Sequence, residues 1–446
     1  MKKNGRTWKT YTAALTAAAL FAAGLSACGE EGTSSAPAPS APSPGGEALV
    51  LQTDSDLSLF LYNAVDAWNQ GGASLSDDFM PVKVEKLPTD SEARAAALQQ
   101  TRTELMAGDG ADLFIFTMPS PMGSEEPAES LFSDPNQTLR SGVFADLSDY
   151  TKDDPAFAAC VPEVMAAGAV DGRQVALPLS YSWAFYYATQ ENLDLCGIAD
   201  ADLSQGPAEV AETLEGNAKG VGNAPFFATY ILPALPQPVD YDAGSVLVTE
   251  DEIASLLHTF RSLAVASSAA DEESGTTMTT PFLTYTPANA QSDLAEGQTP
   301  RCFPYLSTDG TVSAVVNTFA AVRGNCEHVE SAYAFLSFLL SDERQKEIDP
   351  RMEWAIPVNA NAQETAAYAA IGVQAWDVES GNITDAEKAA AQSYLDSGKP
   401  LGNVRILTDA DWQIANMVPP YGPPDEIDAE ETAANIYAAL EANASA

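Results

Sequence analysis

The chain has few of the residues that metal and redox chemistry use. Among 446 residues there are five Cys and two His, and no CxxC pair occurs. Zinc sites need closely spaced ligands of these types, and His258 and His328 are not spaced with the cysteines in that way. The GxSxG, HExxH and Gly-Lys-Ser signatures are also absent. We therefore expect no metal ion, no cofactor and no enzymatic activity.

Positive charge is also scarce, with 21 Lys and Arg against 63 Asp and Glu. Four of the basic residues lie within the first nine positions, and without them the rest of the chain has a formal charge of −46. A surface this acidic repels nucleic acid, so we expect no nucleic-acid partner. The acidic excess leaves a cationic ligand open as an alternative.

Long apolar runs are absent except at the N-terminus. There, the basic head precedes an apolar run over 11–27, which ends directly before Cys28. A run of fewer than about 20 residues is too short for a stable membrane span. The pattern is typical of a bacterial lipoprotein signal peptide, residues 1–27, with the lipid on Cys28. The protein would then be held at the outer face of the cytoplasmic membrane by its lipid anchor alone.

The segment that follows Cys28 is rich in Pro, Ser, Ala and Gly. It extends to residue 46 and has no apolar periodicity, which indicates a semi-rigid tether. The remaining chain, from residue 47, has about 400 residues. That length exceeds what one compact core usually contains, so two or more lobes are expected.

Apolar patterns in the first part of the folded region alternate between strand and helix spacing. They predict strands at 48–52, 81–87 and 111–117, and helices at 57–68 and 91–107. Strands that alternate with helices indicate an α/β fold with a parallel sheet. The loops that follow such strands lie at one edge of the sheet, where open α/β sheets bind ligands.

Two of these loops supply candidate ligand-binding residues. The first contains Asp54 and Asp56, and the second begins at Met118. Further along the chain, Glu353 is a candidate hydrogen-bond acceptor and Arg351 a candidate donor. Carboxylate and guanidinium groups meet the hydroxyl rim of a sugar in sites that have few, well-placed polar groups.

Five segments resemble, in order and spacing, the extracellular solute-binding proteins of the maltose-binding type (family 1). They are 104–116 (ELMAGDGADLFIF), 141–150 (SGVFADLSDY), 171–193 (DGRQVALPLSYSWAFYYATQENL), 330–345 (ESAYAFLSFLLSDERQ) and 354–359 (WAIPVN). The resemblance covers nearly the whole chain beyond the tether. It implies a lipoprotein that binds a solute for an ABC importer.

The resemblance also implies a two-lobed, type II periplasmic-binding-protein-like fold with three hinge crossings and a ligand cleft between the lobes. Lobe one would contain 47–180 plus 307–352, and lobe two 181–306 plus 353–446. Closure of the hinge would capture a small solute, with a mono- or oligosaccharide favoured, for delivery to an ABC permease. The alternatives are a peptide, polyamine or cation for the same class of importer, or a secreted carbohydrate-active enzyme.

Aromatic rings near the expected crossings are candidates for stacking on the apolar face of a sugar. The set comprises Tyr181, Trp183, Phe226, Tyr285, Trp354 and Trp412. The resemblance suggests Phe226 and Trp412 as stacking aromatics, and Tyr285 lies in a segment where the family often has a Gly-Trp dipeptide. For Trp183 both the cleft and the core remain open. Trp68 lies on the apolar stripe of the first predicted helix and is expected in the core.

Four cysteines remain besides Cys28. An exported protein can form disulfides, and the pairing between sequence neighbours would join Cys160 to Cys196 and Cys302 to Cys326. That pairing is one of three, and buried free thiols are the alternative.

Overall fold

The computed structural model describes residues 47–54, 57–117, 130–216, 231–235, 237–240, 243–268, 301–408, 411, 414, 417 and 428–444. All of these residues belong to one compact unit. Cys28 and the tether lie outside the described residues, so the lipid anchor stays a prediction. Within the described residues, no helix has the length and apolar character that a bilayer crossing requires.

The strands, in chain order, are β1 Leu49–Thr53, β2 Val82–Lys86, β3 Leu113–Thr117, β4 Ala169–Val170, β5 Arg173–Gln174, β6 Leu177–Trp183, β7 Phe185–Ala188, β8 Val239–Asp240, β9 Ser245–Val246, β10 Arg301–Pro304, β11 Val312–Val322, β12 Ile356–Pro357 and β13 Leu401–Arg405. The helices are α1 Leu59–Gly71, α2 Ser91–Ala107, α3 Pro135–Arg140, α4 Ser148–Thr151, α5 Pro155–Ala158, α6 Pro162–Met165, α7 Gln190–Cys196, α8 Pro207–Gly216, α9 Ile231–Ala234, α10 Glu250–Ser268, α11 Val329–Leu340, α12 Asp342–Gln345, α13 Pro350–Glu353, α14 Ala360–Ala370, α15 Ala375–Ser380, α16 Asp385–Ser397 and α17 Ala429–Ala444.

The predicted β1-α1-β2-α2-β3 order is confirmed, and local sequence signals explain it. Asp90 caps the N-terminus of α2 by accepting a hydrogen bond from the backbone N–H of Ala93. Gly108 ends this helix in the left-handed conformation, at φ 77°. Trp68 is buried in the first core as predicted, with 1% of its surface exposed, and its indole N–H donates to the carbonyl of Met80 at 2.8 Å.

The main sheet contains seven of the described strands in the order β12-β6-β11-β3-β1-β2, with β13 also paired to β11. β1 is parallel to β2 and to β3, as expected. β11 is antiparallel to both β3 and β6, so the sheet is mixed. The fold is therefore α/β, with an antiparallel strand from late in the chain inserted beside the early parallel strands.

Strands β6 and β7 contribute to two hydrophobic clusters among the described residues. Trp183 and Phe185 belong to the larger cluster, which covers the main sheet. Ala184 and Tyr186 belong to the second cluster, which includes buried residues of α10 and α17. Since successive strand residues point to opposite faces, one continuous segment joins both cores.

Of the two alternatives left open for the cysteines, the structure has the free thiols. Cys160, Cys302 and Cys326 are buried free thiols, so neither predicted pair is formed. Cys302 and Cys326 have different surroundings. The backbone N–H of Cys302 donates a hydrogen bond to the Ser393 hydroxyl at 3.2 Å, whereas the Cys326 thiol lies 3.5 Å from a carboxylate oxygen of Asp112. The side chain of Cys196 lies outside the described part.

Candidate functional site

The carboxyl ends of β1 and β3 lie at one edge of the main sheet because these two strands are parallel. β1 ends immediately before Asp54, and β3 ends at Thr117. Thr117 pairs with Thr318 of β11, and their hydroxyl oxygens are 3.4 Å apart. The side-chain amide of Asn317, the residue before Thr318, donates a hydrogen bond to the carbonyl of Trp354. The name carboxyl-edge site is used below for Asp54, Thr117, Asn317 and Trp354.

Asp54 lies at this edge as predicted, but it forms a nearly buried ion pair. Its carboxylate contacts the guanidinium of Arg94, and the two side chains are 12% and 11% exposed. Arg94 also donates to the backbone carbonyl of Asp54 at 2.9 Å. The second carboxylate oxygen accepts the N–H of Leu131 at 3.3 Å. The negative charge of Asp54 is therefore compensated within the protein.

The other charged candidates also have partners in the protein. The Glu353 carboxylate accepts the N–H of Phe60 at 3.2 Å, at the start of α1. Burial raises the pKa of Glu353, against the opposing effect of hydrogen bonds from Ser58 and Phe60. Arg351 forms an ion pair with Asp349, with 2.6 Å between Nη2 and Oδ2. The charge of Arg351 is therefore compensated by Asp349, whereas Glu353 is held by hydrogen bonds from neutral groups.

Trp354 lies beside β12 in a strained backbone conformation. Its φ of 55° places it in the left-handed region, which costs a non-glycine residue about 1–2 kcal/mol. Strain of this kind is often found at ligand sites. The Trp354 carbonyl accepts the side-chain amide of Asn317 at 3.4 Å, and the residue is half-buried. Leu59 and Met352, which flank the contact between α1 and α13, are 60% and 63% exposed.

Trp183 and Tyr181 are packed inside the protein. The indole of Trp183, 3% exposed, stacks on Tyr394 of α16 with 5.1 Å between ring centroids and donates to the Ser397 hydroxyl at 3.0 Å. The Tyr181 hydroxyl accepts a hydrogen bond from Gln363 at 3.0 Å, and burial raises its pKa. In this conformation the core alternative for Trp183 is favoured over an open stacking surface.

A small cavity of about 170 Å³ lies where α3 approaches the end of β13. Its polar lining includes Asn136, Arg140, Arg405 and Asp411. The Asn136 side chain donates to the carbonyl of Ile406 at 3.0 Å, which ties the early part of the chain to the segment after β13. The segment that contains Trp412, a predicted ligand-binding residue, therefore begins close to the sheet edge, at Ile406.

Two buried polar residues, Ser182 and Asn317, have surroundings that the sequence did not predict. Both are neutral residues within buried strands, 6% and 4% exposed, and no motif distinguishes them. The signal appears only in the structure. Ser182 Oγ and Asn317 Oδ1 are buried and have no hydrogen-bond partner in the part of the chain that the structure describes.

Five predicted ligand-binding residues lie outside the described residues, and their roles stay predictions: Asp56, Met118, Phe226, Tyr285 and Trp412. Within the described ranges, no group of three or more His, Cys, Asp and Glu side chains is arranged to hold a metal ion.

Solved structures with this fold include an extracellular solute-binding protein of family 1 from Alicyclobacillus acidocaldarius, with 14% identity and a TM-score of 0.60, covering 91% of this chain and 100% of that chain. A sugar transporter protein from Rhizobium etli in an open conformation has 16% identity and a TM-score of 0.59, covering 89% and 100%. The cyclic alpha-maltosyl-1,6-maltose binding protein from Arthrobacter globiformis has 15% identity and a TM-score of 0.57, covering 90% and 100%. Two designed esterases also match.

No protein-family model matches the sequence, and no curated protein matches it. The chain therefore has the α/β fold of the extracellular solute-binding proteins. Because the sequence identities are only 14–16%, the similarity applies to the fold alone. The resemblance found in the sequence motifs is confirmed at that level.

Proposed function

We propose that this protein is the solute-binding component of an ABC importer and that it captures a neutral, hydroxyl-rich solute, a mono- or oligosaccharide. One observation carries the choice of solute. Among the described residues at and beside the carboxyl-edge site, both arginines have acidic partners within the protein, Arg94 with Asp54 and Arg351 with Asp349. The amide, hydroxyl and indole groups beside them are neutral and suit a sugar.

A charged solute would need an uncompensated opposite charge in the cleft, because an unpaired ion is costly to bury. The net charge of −46 does not supply one, since exposed charges are largely screened beyond about 8–10 Å at physiological ionic strength. The peptide, polyamine and cation alternatives are therefore not favoured. Structures of similar fold agree with this choice, because one of them binds a cyclic maltosyl-maltose and another is a sugar transporter protein.

The mechanism we infer is hinge closure between the two predicted lobes. β6 with β7, β10 with β11, and the segment leading into β12 would form the three crossings. A solute favours the closed form only through contacts that the open form lacks. A dissociation constant near ~1 μM needs about −8 kcal/mol in total. A lipid on Cys28 and the tether to residue 46 would hold the protein at the outer face of the cytoplasmic membrane, where it meets its permease.

We expect purified mature protein to gain several degrees in Tm with at least one sugar from a panel of glucose, maltose, maltotriose, cellobiose and trehalose. A ligand at 100 times its Kd stabilises the folded state by about 2.7 kcal/mol. Spermidine, trialanine and CaCl2 form the charged arm and should leave the Tm unchanged.

Tm shifts confined to the charged arm would contradict the sugar assignment. Chromatography of the incubated sugar tests the enzyme alternative separately: the sugar should be recovered intact, and hydrolysis products would identify an enzyme.

A further inference from the structure

Two large apolar side chains are exposed near Trp354. Leu59, the first residue of α1, is 60% exposed, and Met352, in α13, is 63% exposed. A single exposed apolar side chain is ordinary, whereas several together mark a ligand groove or an interaction surface. What these two indicate therefore depends on how close α1 lies to α13.

Glu353 joins α13 to the first turn of α1. Its carboxylate accepts the backbone N–H of Phe60 at 3.2 Å, and Cα atoms of the two helices approach within 8 Å. Leu59 directly precedes Phe60, and Met352 and Trp354 flank Glu353 in the chain. Leu59, Met352 and Trp354 therefore lie on two segments in direct contact, and we call these three residues the apolar platform.

The backbone of Trp354 has a conformation that favours glycine. The residue ends α13 in the left-handed region, with φ 55° and ψ 24°. Glycine is the usual residue at such a helix end because it has no Cβ. A half-buried indole at this position indicates that the side chain itself is required. Since Trp354 also belongs to the carboxyl-edge site, the apolar platform is continuous with that site.

We propose that the apolar platform binds the ring faces of an oligosaccharide, a proposal that rests on the proposed function. A sugar ring presents an apolar C–H face, which an indole covers by stacking. One ring is about as large as the indole, so a monosaccharide on Trp354 leaves Leu59 and Met352 exposed to water. A second, linked ring covers these side chains, and the apolar area removed from water favours binding. The platform therefore selects a disaccharide or a longer sugar.

Calorimetric titration with glucose and with the panel oligosaccharide that gives the largest Tm shift tests this selection. The wild type should bind the oligosaccharide at least about 10-fold more tightly than glucose. Leu59→Ala and Met352→Ala should each weaken oligosaccharide binding about 3- to 10-fold, because each removes apolar area that the second ring covers. The ligand-free Tm should stay within about 2 °C of the wild type, since both side chains are exposed.

Leu75→Ala and Met106→Ala are the matched controls. Leu75 and Met106 are 62% and 74% exposed, so these variants remove the same two types of side chain from equally open positions. The 13 residues of α1 separate Leu75 from Leu59 by about 20 Å, and Met106 lies in the last turn of α2, before β3. Both variants should keep the oligosaccharide affinity within about twofold.

The Leu59→Ala/Met352→Ala double variant should bind the oligosaccharide about 10- to 100-fold more weakly than the wild type and glucose as the wild type does. An unchanged oligosaccharide affinity in this variant, or an equal loss in Leu75→Ala and Met106→Ala, would overturn the platform. A wild type that binds glucose alone, or glucose and oligosaccharides equally, would also overturn it and leave the proposed function standing. If no sugar of the panel binds the wild type, the proposed function itself fails.

Discussion

Trp183→Ala is expected to lower the free energy of unfolding by about 3–5 kcal/mol, the range for removing a large buried aromatic side chain. The indole is 3% exposed, stacks on Tyr394 and donates to Ser397. A Cβ added at Gly398 would lie 2.9 Å from the ring, so the chain is closely packed on this side as well. The cavity left by alanine would lie between β6 and α16.

Urea denaturation of wild type and variant, monitored by far-ultraviolet circular dichroism, measures the change. Trp376→Ala is the control, since Trp376 is 63% exposed and its removal should change the free energy of unfolding by less than about 0.5 kcal/mol. If Trp183→Ala unfolds like the wild type but loses its Tm response to sugar, then Trp183 belongs to the cleft and not to the core.

The second large effect concerns the charge pair at the carboxyl-edge site. Arg94→Met should cost about 3–5 kcal/mol, because it leaves the Asp54 carboxylate buried without its cationic partner. The same change removes the hydrogen bond from Arg94 to the Asp54 carbonyl. Adding Asp54→Asn to Arg94→Met should recover most of the loss, because an amide carries no charge to compensate.

The control for this pair is Arg173→Met. Arg173 lies 3.9 Å from Asp171, and the two side chains are 48% and 75% exposed, so solvent screens the pair and the expected cost is below about 1 kcal/mol. Equal unfolding free energies for Arg94→Met and Arg173→Met, or no recovery in the Arg94→Met/Asp54→Asn double variant, would contradict the internal compensation on which the choice of a neutral solute depends.

Local patterns allowed the early part of the fold to be predicted. The caps at Asp90 and Gly108 and the apolar stripe that contains Trp68 are encoded by neighbouring residues, and the structure has the predicted elements there. The position of β11 in the sheet could not be predicted from such local patterns. Thr318 pairs with Thr117, about 200 residues earlier, and pairing over such a distance depends on tertiary packing.

The site was predictable only where it follows from strand ends. Asp54 and Trp354 lie at or beside the sheet edge as expected, but the pairing of Asp54 with Arg94 depends on how α2 packs against β1. Alternation within β6 cannot reveal that Tyr394 covers Trp183. Ser182 and Asn317 resemble ordinary strand residues in sequence, and only the structure shows that Ser182 Oγ and Asn317 Oδ1 have no hydrogen-bond partner among the described residues.

The central claim is that a sugar closes two lobes about the hinge strands. Small-angle X-ray scattering of the mature protein, with and without a saturating concentration of the panel sugar that raises its Tm, tests this claim directly. We predict a smaller radius of gyration with the sugar and no change with spermidine. A radius of gyration that stays the same when the sugar is bound would contradict capture by hinge closure.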